Sequence, residues 1–84
     1  MTYSFTPTGV CSRRIDIELD DEGIIRHISF LGGCSGNTQG LSAMVEGQHA
    51  EDVIKRLRGI RCGFRPTSCP DQLAQALEEA LELL

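Results

Sequence analysis

Arg14-Ile15-Asp16-Ile17-Glu18-Leu19-Asp20-Asp21-Glu22-Gly23-Ile24-Ile25-Arg26-His27-Ile28-Ser29-Phe30-Leu31 is the stretch on which the fold turns. From Arg14 to Asp20, Ile15, Ile17 and Leu19 fall on one side and Arg14, Asp16, Glu18 and Asp20 on the other, the period-2 pattern of a half-buried strand. Asp20 to Gly23 supplies turn chemistry, and Ile24 to Leu31 resumes with Ile24, Ile28 and Phe30 sharing a face. Two strands joined by a short acidic turn ending in Gly predict an antiparallel hairpin.

Upstream, Tyr3 to Thr6 has short-strand character, ended by Pro7 and Gly9. Downstream, the period changes after Gly32-Gly33-Cys34-Ser35-Gly36, where Gly32 and Gly33 suit a tight strand-to-helix turn with φ > 0. Leu41, Met44 and Val45 then recur at helical spacing until Gly47. In a second helix, Ala50, Val53, Ile54 and Leu57 share a face. Glu51 and Asp52 open it and Lys55, Arg56 and Arg58 close it, an order that suits the helix dipole, and Gly59 ends it. Ile60 to Thr67 reads as a loop. Pro70 and Asp71 open a third helix, whose apolar stripe is Leu73, Leu77, Ala80, Leu81 and Leu84. Strands first and helices after predict a single α+β domain over residues 1–84, a two-layer fold with a small antiparallel sheet covered on one face by three helices.

A chain of 84 residues buries only roughly 60 to 65% of the surface its unfolded form exposes, so its stability margin is thin and there is little room for a large active-site cleft. With no Trp, one Tyr and three Phe, the core rests on aliphatic residues, and a bound metal is one way to supply what such a core lacks. A net charge of −4 argues against nucleic acid or an anionic membrane as the partner. Met1 to Val10 has no basic segment followed by an apolar run, and no stretch reaches the ~20 apolar residues of a membrane span. The expected compartment is the cytoplasm.

Cys11, Cys34, Cys62 and Cys69 each stand where a regular element breaks off. In a reducing compartment they point to metal ligands or redox thiols rather than disulfides; in a secreted chain three pairings would be open. Their spacing lacks the paired C-x2-C knuckles of zinc ribbons. The predicted fold supplies the missing argument. Cys11 precedes the hairpin, Cys34 follows it and Cys69 opens a helix, so one end of the sheet can gather the thiols around Zn2+ or an iron–sulfur cluster. Of the eight basic residues, Lys55, Arg56, Arg58, Arg61 and Arg65 cluster around the third cysteine, and Arg13 and Arg14 follow the first. Nearby cations favour the thiolate, although such runs are also ordinary solvated faces. Gly36 and Asn37 shape the loop of the second cysteine, and Arg61, Arg65 and Asp71 are expected around the ligands. His27 reads as a surface or packing residue and His49 as a helix-entrance residue. No catalytic triad is evident, and the carboxylates of Asp20, Asp21 and Glu22 read as a solvated turn.

Gly9-Val10-Cys11-Ser12, Gly32 to Asn37, Cys62-Gly63 and above all Thr67-Ser68-Cys69-Pro70-Asp71-Gln72-Leu73 resemble the TSCPD domain family, over nearly the whole chain. That family includes small stand-alone proteins and a similar domain at the C-terminus of adenosylcobalamin-dependent (class II) ribonucleotide reductases. The resemblance implies a link to deoxyribonucleotide synthesis and would suggest a ribonucleoside-diphosphate reductase label. The reductase's large radical-bearing barrel does not fit in 84 residues, so the implied role is an accessory or interaction module beside a reductase or another protein partner. A more distant likeness links the chain to U-type iron–sulfur scaffold proteins, with Cys11, Cys34 and Cys69 on their three cysteines. Arg13 stands where that family has an Asp and Ser68 where it has a His. With Cys62 as a fourth sulfur, a closed site is implied, and closed four-cysteine sites are usually structural. The expectations are therefore four-cysteine zinc binding, with an iron–sulfur carrier as alternative and thiol exchange through Cys62 and Cys69 as a second. Leu83, off the main stripe, is a candidate contact for a homodimer.

Overall fold

Ile15 faces Phe30 and Ile17 faces Ile28 across an antiparallel pair formed by β2 (Ser12–Leu19) and β3 (Ile25–Gly32), the hairpin the alternation predicts. β1 (Thr2–Phe5) adds to the other edge of β2, placing Tyr3 beside Ile17 and Phe5 beside Ile15, so the sheet order is β1-β2-β3. Three helices follow: α1 (Ser35–Val45), α2 (Ala50–Leu57) and α3 (Cys69–Glu82). This computed structural model describes residues 1–33 and 35–84, with residues 35 and 36 described by backbone alone.

One sheet face is apolar and covered. Ile15, Ile17, Leu19 and Ile25 are fully buried together with Leu73 and Leu77 of α3, and each such side chain contributes on the order of 1.5–3 kcal/mol. α3 packs on β1 and β2, α1 packs on β3, and α2 packs against α3, adding Ala50 and Val53 to the same core. The opposite sheet face is polar: there the Ser4 hydroxyl donates to Asp16 at 2.7 Å and Arg14 Nε donates to its other oxygen at 3.1 Å. Among the described residues no helix is long and apolar enough to cross a membrane.

Three expectations are corrected. Ile25, not Ile24, enters the core, because pairing runs from Glu18–His27 to Leu19–Ile25 and leaves Arg26 as an extra, bulged residue that shifts the phase. Met44 is 75% exposed rather than part of the apolar core face of α1, where Val45 is buried instead. Leu84 lies beyond α3 and is 50% exposed, since the stripe ends in Ala80, which is buried, and Leu81, which is half-buried. Leu83 is exposed as well.

The turn between β2 and β3 is organised by Asp20, whose Oδ1 accepts from the N–H groups of Glu22 at 2.9 Å and Ile24 at 3.0 Å, while Arg26 reaches Oδ2 at 2.7 Å. The Ile24 N–H is the largest influence on its carboxyl. Desolvation opposes it, but the Glu22 N–H and the Arg26 guanidinium add to it and hold the group below its ordinary pKa of 3.8.

Candidate functional site

Ser68 caps α3: its backbone is extended and its hydroxyl accepts from the Asp71 N–H at 3.2 Å, so Cys69 occupies the first helical position and Pro70 the second, where no N–H is needed. The thiol of Cys69 thus sits at the positive end of a 14-residue helix. Cys11 reaches the same region from the segment leading into β2, where Ser12 Oγ lies 3.5 Å from Cys69 Sγ. Cys62 arrives on the loop before α3; its N–H donates to the Thr67 carbonyl at 3.2 Å and its carbonyl accepts from Arg65 N–H at 3.0 Å.

Cys11, Cys62 and Cys69 line one cavity of about 540 Å³, with Asn37 and Arg65 among the polar groups on its wall. Its apolar wall includes Val10, Leu41 and Met44. Asn37, Leu41 and Met44 recur at i, i+4 and i+7 on α1, so the residue that departs from the core serves the cavity. The three thiols are free, Cys11 and Cys62 exposed and Cys69 half-buried. Cys34 lies outside the described residues, and Gly36 is described only by its place in α1. Among the described residues no group of three or more His, Cys, Asp or Glu is arranged to hold a metal ion.

The other expected site residues divide. Arg65 lines the cavity, whereas Arg61 stands exposed beside Cys62 and is not on its wall. His27 is exposed with Nδ1 3.2 Å from Glu46 Oε2, and His49 is the exposed N-cap residue of α2. His27 and Glu46 border a separate concavity of about 500 Å³ between β3 and α1, which no described cysteine lines.

Asp71 is 5% exposed and turns away from the cavity into a hydrogen-bonded cluster. Its Oδ1 accepts from Gly59 N–H at 2.7 Å, and its Oδ2 accepts from the Thr67 hydroxyl at 2.5 Å and from Gln75 Nε2 at 3.1 Å. Arg58 Nε stands 3.8 Å away. Burial pushes its pKa up, but the Thr67 hydroxyl, the Gly59 N–H, Gln75 and Arg58 together outweigh burial and hold the carboxyl below its ordinary value. Thr67 Oγ1 accepts from Gln72 Nε2 at 2.9 Å, Gln72 Oε1 accepts from Thr8 N–H at 3.0 Å, and the Ser68 hydroxyl donates to the Ile60 carbonyl at 2.6 Å. Thr67, Ser68 and Gln72 were not singled out as site residues from the sequence. The Ser68-x-x-Asp71 spacing of a capping box was the available signal, but the Asp71 side chain reaches Gly59 and Thr67 instead of closing that box.

Sheet, helices and cavity define a small α+β domain with a thiol-lined pocket at the N-terminus of its last helix. The chain belongs to the TSCPD domain family, whose model matches residues 1–81. Comparison with the curated proteins gave no match, and comparison with the solved structures gave none either.

Proposed function

We propose that the chain is a four-cysteine metal-binding accessory domain, with Cys11, Cys34, Cys62 and Cys69 as ligands and zinc as the metal. One observation carries the reading: three thiols from three separate segments line the same cavity. The donor chemistry fits. Sulfur ligands suit Zn2+, and the guanidinium of Arg65 with the positive end of α3 offsets the charge of thiolates there. Bound zinc supplies a structural cross-link between the segment before β2, the entrance of α1 and the loop before α3. Family membership supports a role beside a ribonucleotide reductase in deoxyribonucleotide synthesis.

The test is metal content by plasma mass spectrometry after anaerobic purification without chelator. About one zinc per chain is expected for a closed site, and replacing Cys11, Cys34, Cys62 or Cys69 by Ser lowers zinc content and melting temperature together. A Cys→Ser variant that keeps its full metal content removes that residue from the ligand set. Iron with a visible absorbance identifies a cluster instead. Thiols that react fully and fast without chelator, in a metal-free protein, replace the metal reading with redox exchange.

A further inference from the structure

Metal-stapled domains commonly lose their fold when the metal leaves, because nothing else holds the ligand loops. Here the loops are fastened by other means. The loop that carries Cys62 is tied near both ends: Gly59 N–H and the Thr67 hydroxyl donate to opposite oxygens of Asp71, and the Ser68 hydroxyl takes the Ile60 carbonyl. The segment leading to Cys11 is tied through Thr8 N–H to Gln72, which is itself bound to Thr67. It also runs close to Thr67, since a Cβ on Gly9 would lie 3.1 Å from the Thr67 methyl. Thr67, Asp71 and Gln72 are buried, and no buried side-chain polar atom among the described residues lacks a partner.

Helix capping does not account for this cluster. Ser68 performs the cap, whereas the Asp71 carboxylate reaches back twelve positions to Gly59. We infer that Thr67, Asp71 and Gln72 are positioning residues that set the Cys11 and Cys62 segments against Cys69 before any metal binds. The inference rests on the reading of the cavity as a thiol metal site, and it makes the metal-free chain a folded receptor rather than an unfolded one.

Thr67→Val keeps the methyl that meets Gly9 and deletes the hydroxyl, while Thr67→Ser does the reverse. In chelator-treated protein, the Gly59 and Thr8 amides are expected to be protected from hydrogen exchange. Thr67→Val speeds both by about tenfold or more, with the Ile17 amide inside the sheet little changed, and Thr67→Ser stays near the parent. In a Zn2+ competition titration, Thr67→Val weakens binding about tenfold and Thr67→Ser does not. Gln72→Met is the second variant, expected to release Thr8 while leaving Gly59 protected. Unprotected Gly59 and Thr8 amides in the metal-free parent, or parent-like exchange in both Thr67→Val and Gln72→Met, overturn the lock. If the parent binds no zinc, the metal reading fails while the exchange pattern still decides the lock.

Discussion

Asp20 illustrates how one carboxylate shapes a turn and ties stability to pH. Its pKa is lower in the folded chain than the ordinary 3.8, so its contribution is fully present above that value and is lost as pH falls through the lower, folded value. Asp20→Ala is expected to melt below the parent at neutral pH, with the gap narrowing in strong acid; a gap of constant size across that range would contradict the assignment. Acidic turn chemistry was legible at this position, and so was the alternation that places Ile15, Ile17 and Leu19 in the core. The phase of Ile25 was not, because a bulge at Arg26 depends on how two strands pair, and period-2 counting along one strand carries no record of an inserted residue.

At the level of elements, strand and helix types and their order follow from periodicity, and α2 matches its apolar face and its terminal charges. Met44 shows the limit of that method. A helix with neighbours on two sides has two useful faces, and spacing alone does not say which is core and which is the wall of a pocket. The junction between β3 and α1 carries its own test. Gly33 has φ +82, and a Cβ there would lie 2.6 Å from Ser12 Oγ, the atom that contacts Cys69 Sγ. Gly33→Ala is therefore expected to cost about 1–3 kcal/mol of stability, read by denaturant melting, through backbone strain and displacement of Ser12. A parent-like midpoint would mean that this turn relaxes without disturbing its neighbours.

Across the whole molecule, Cys11, Cys62 and Cys69 line one cavity, a grouping suggested by a predicted topology that brings distant breaks in the chain to one end of the sheet. The lock behind them was not legible, because Gln72 and Asp71 tie down groups far away in sequence, Thr8 and Gly59 respectively, and helical spacing carries no record of such partners. Buried hydrophobic side chains among the described residues form a core cluster beneath the sheet. Leu77, fully buried on α3, is a direct test: Leu77→Ala should cost about 2–5 kcal/mol, a large share of what a domain of this size possesses, and should be visible as a lowered denaturant midpoint. The distribution of the cavity's thiols along the chain has a further consequence during synthesis. Cys11 and Cys69 are 58 positions apart (69 − 11), so at about 5–20 residues per second the ribosome adds the second roughly 3 to 12 s after the first. For that interval the first of these thiols is without the last helix, which lines the same cavity, and it depends on the reducing power of its surroundings for protection.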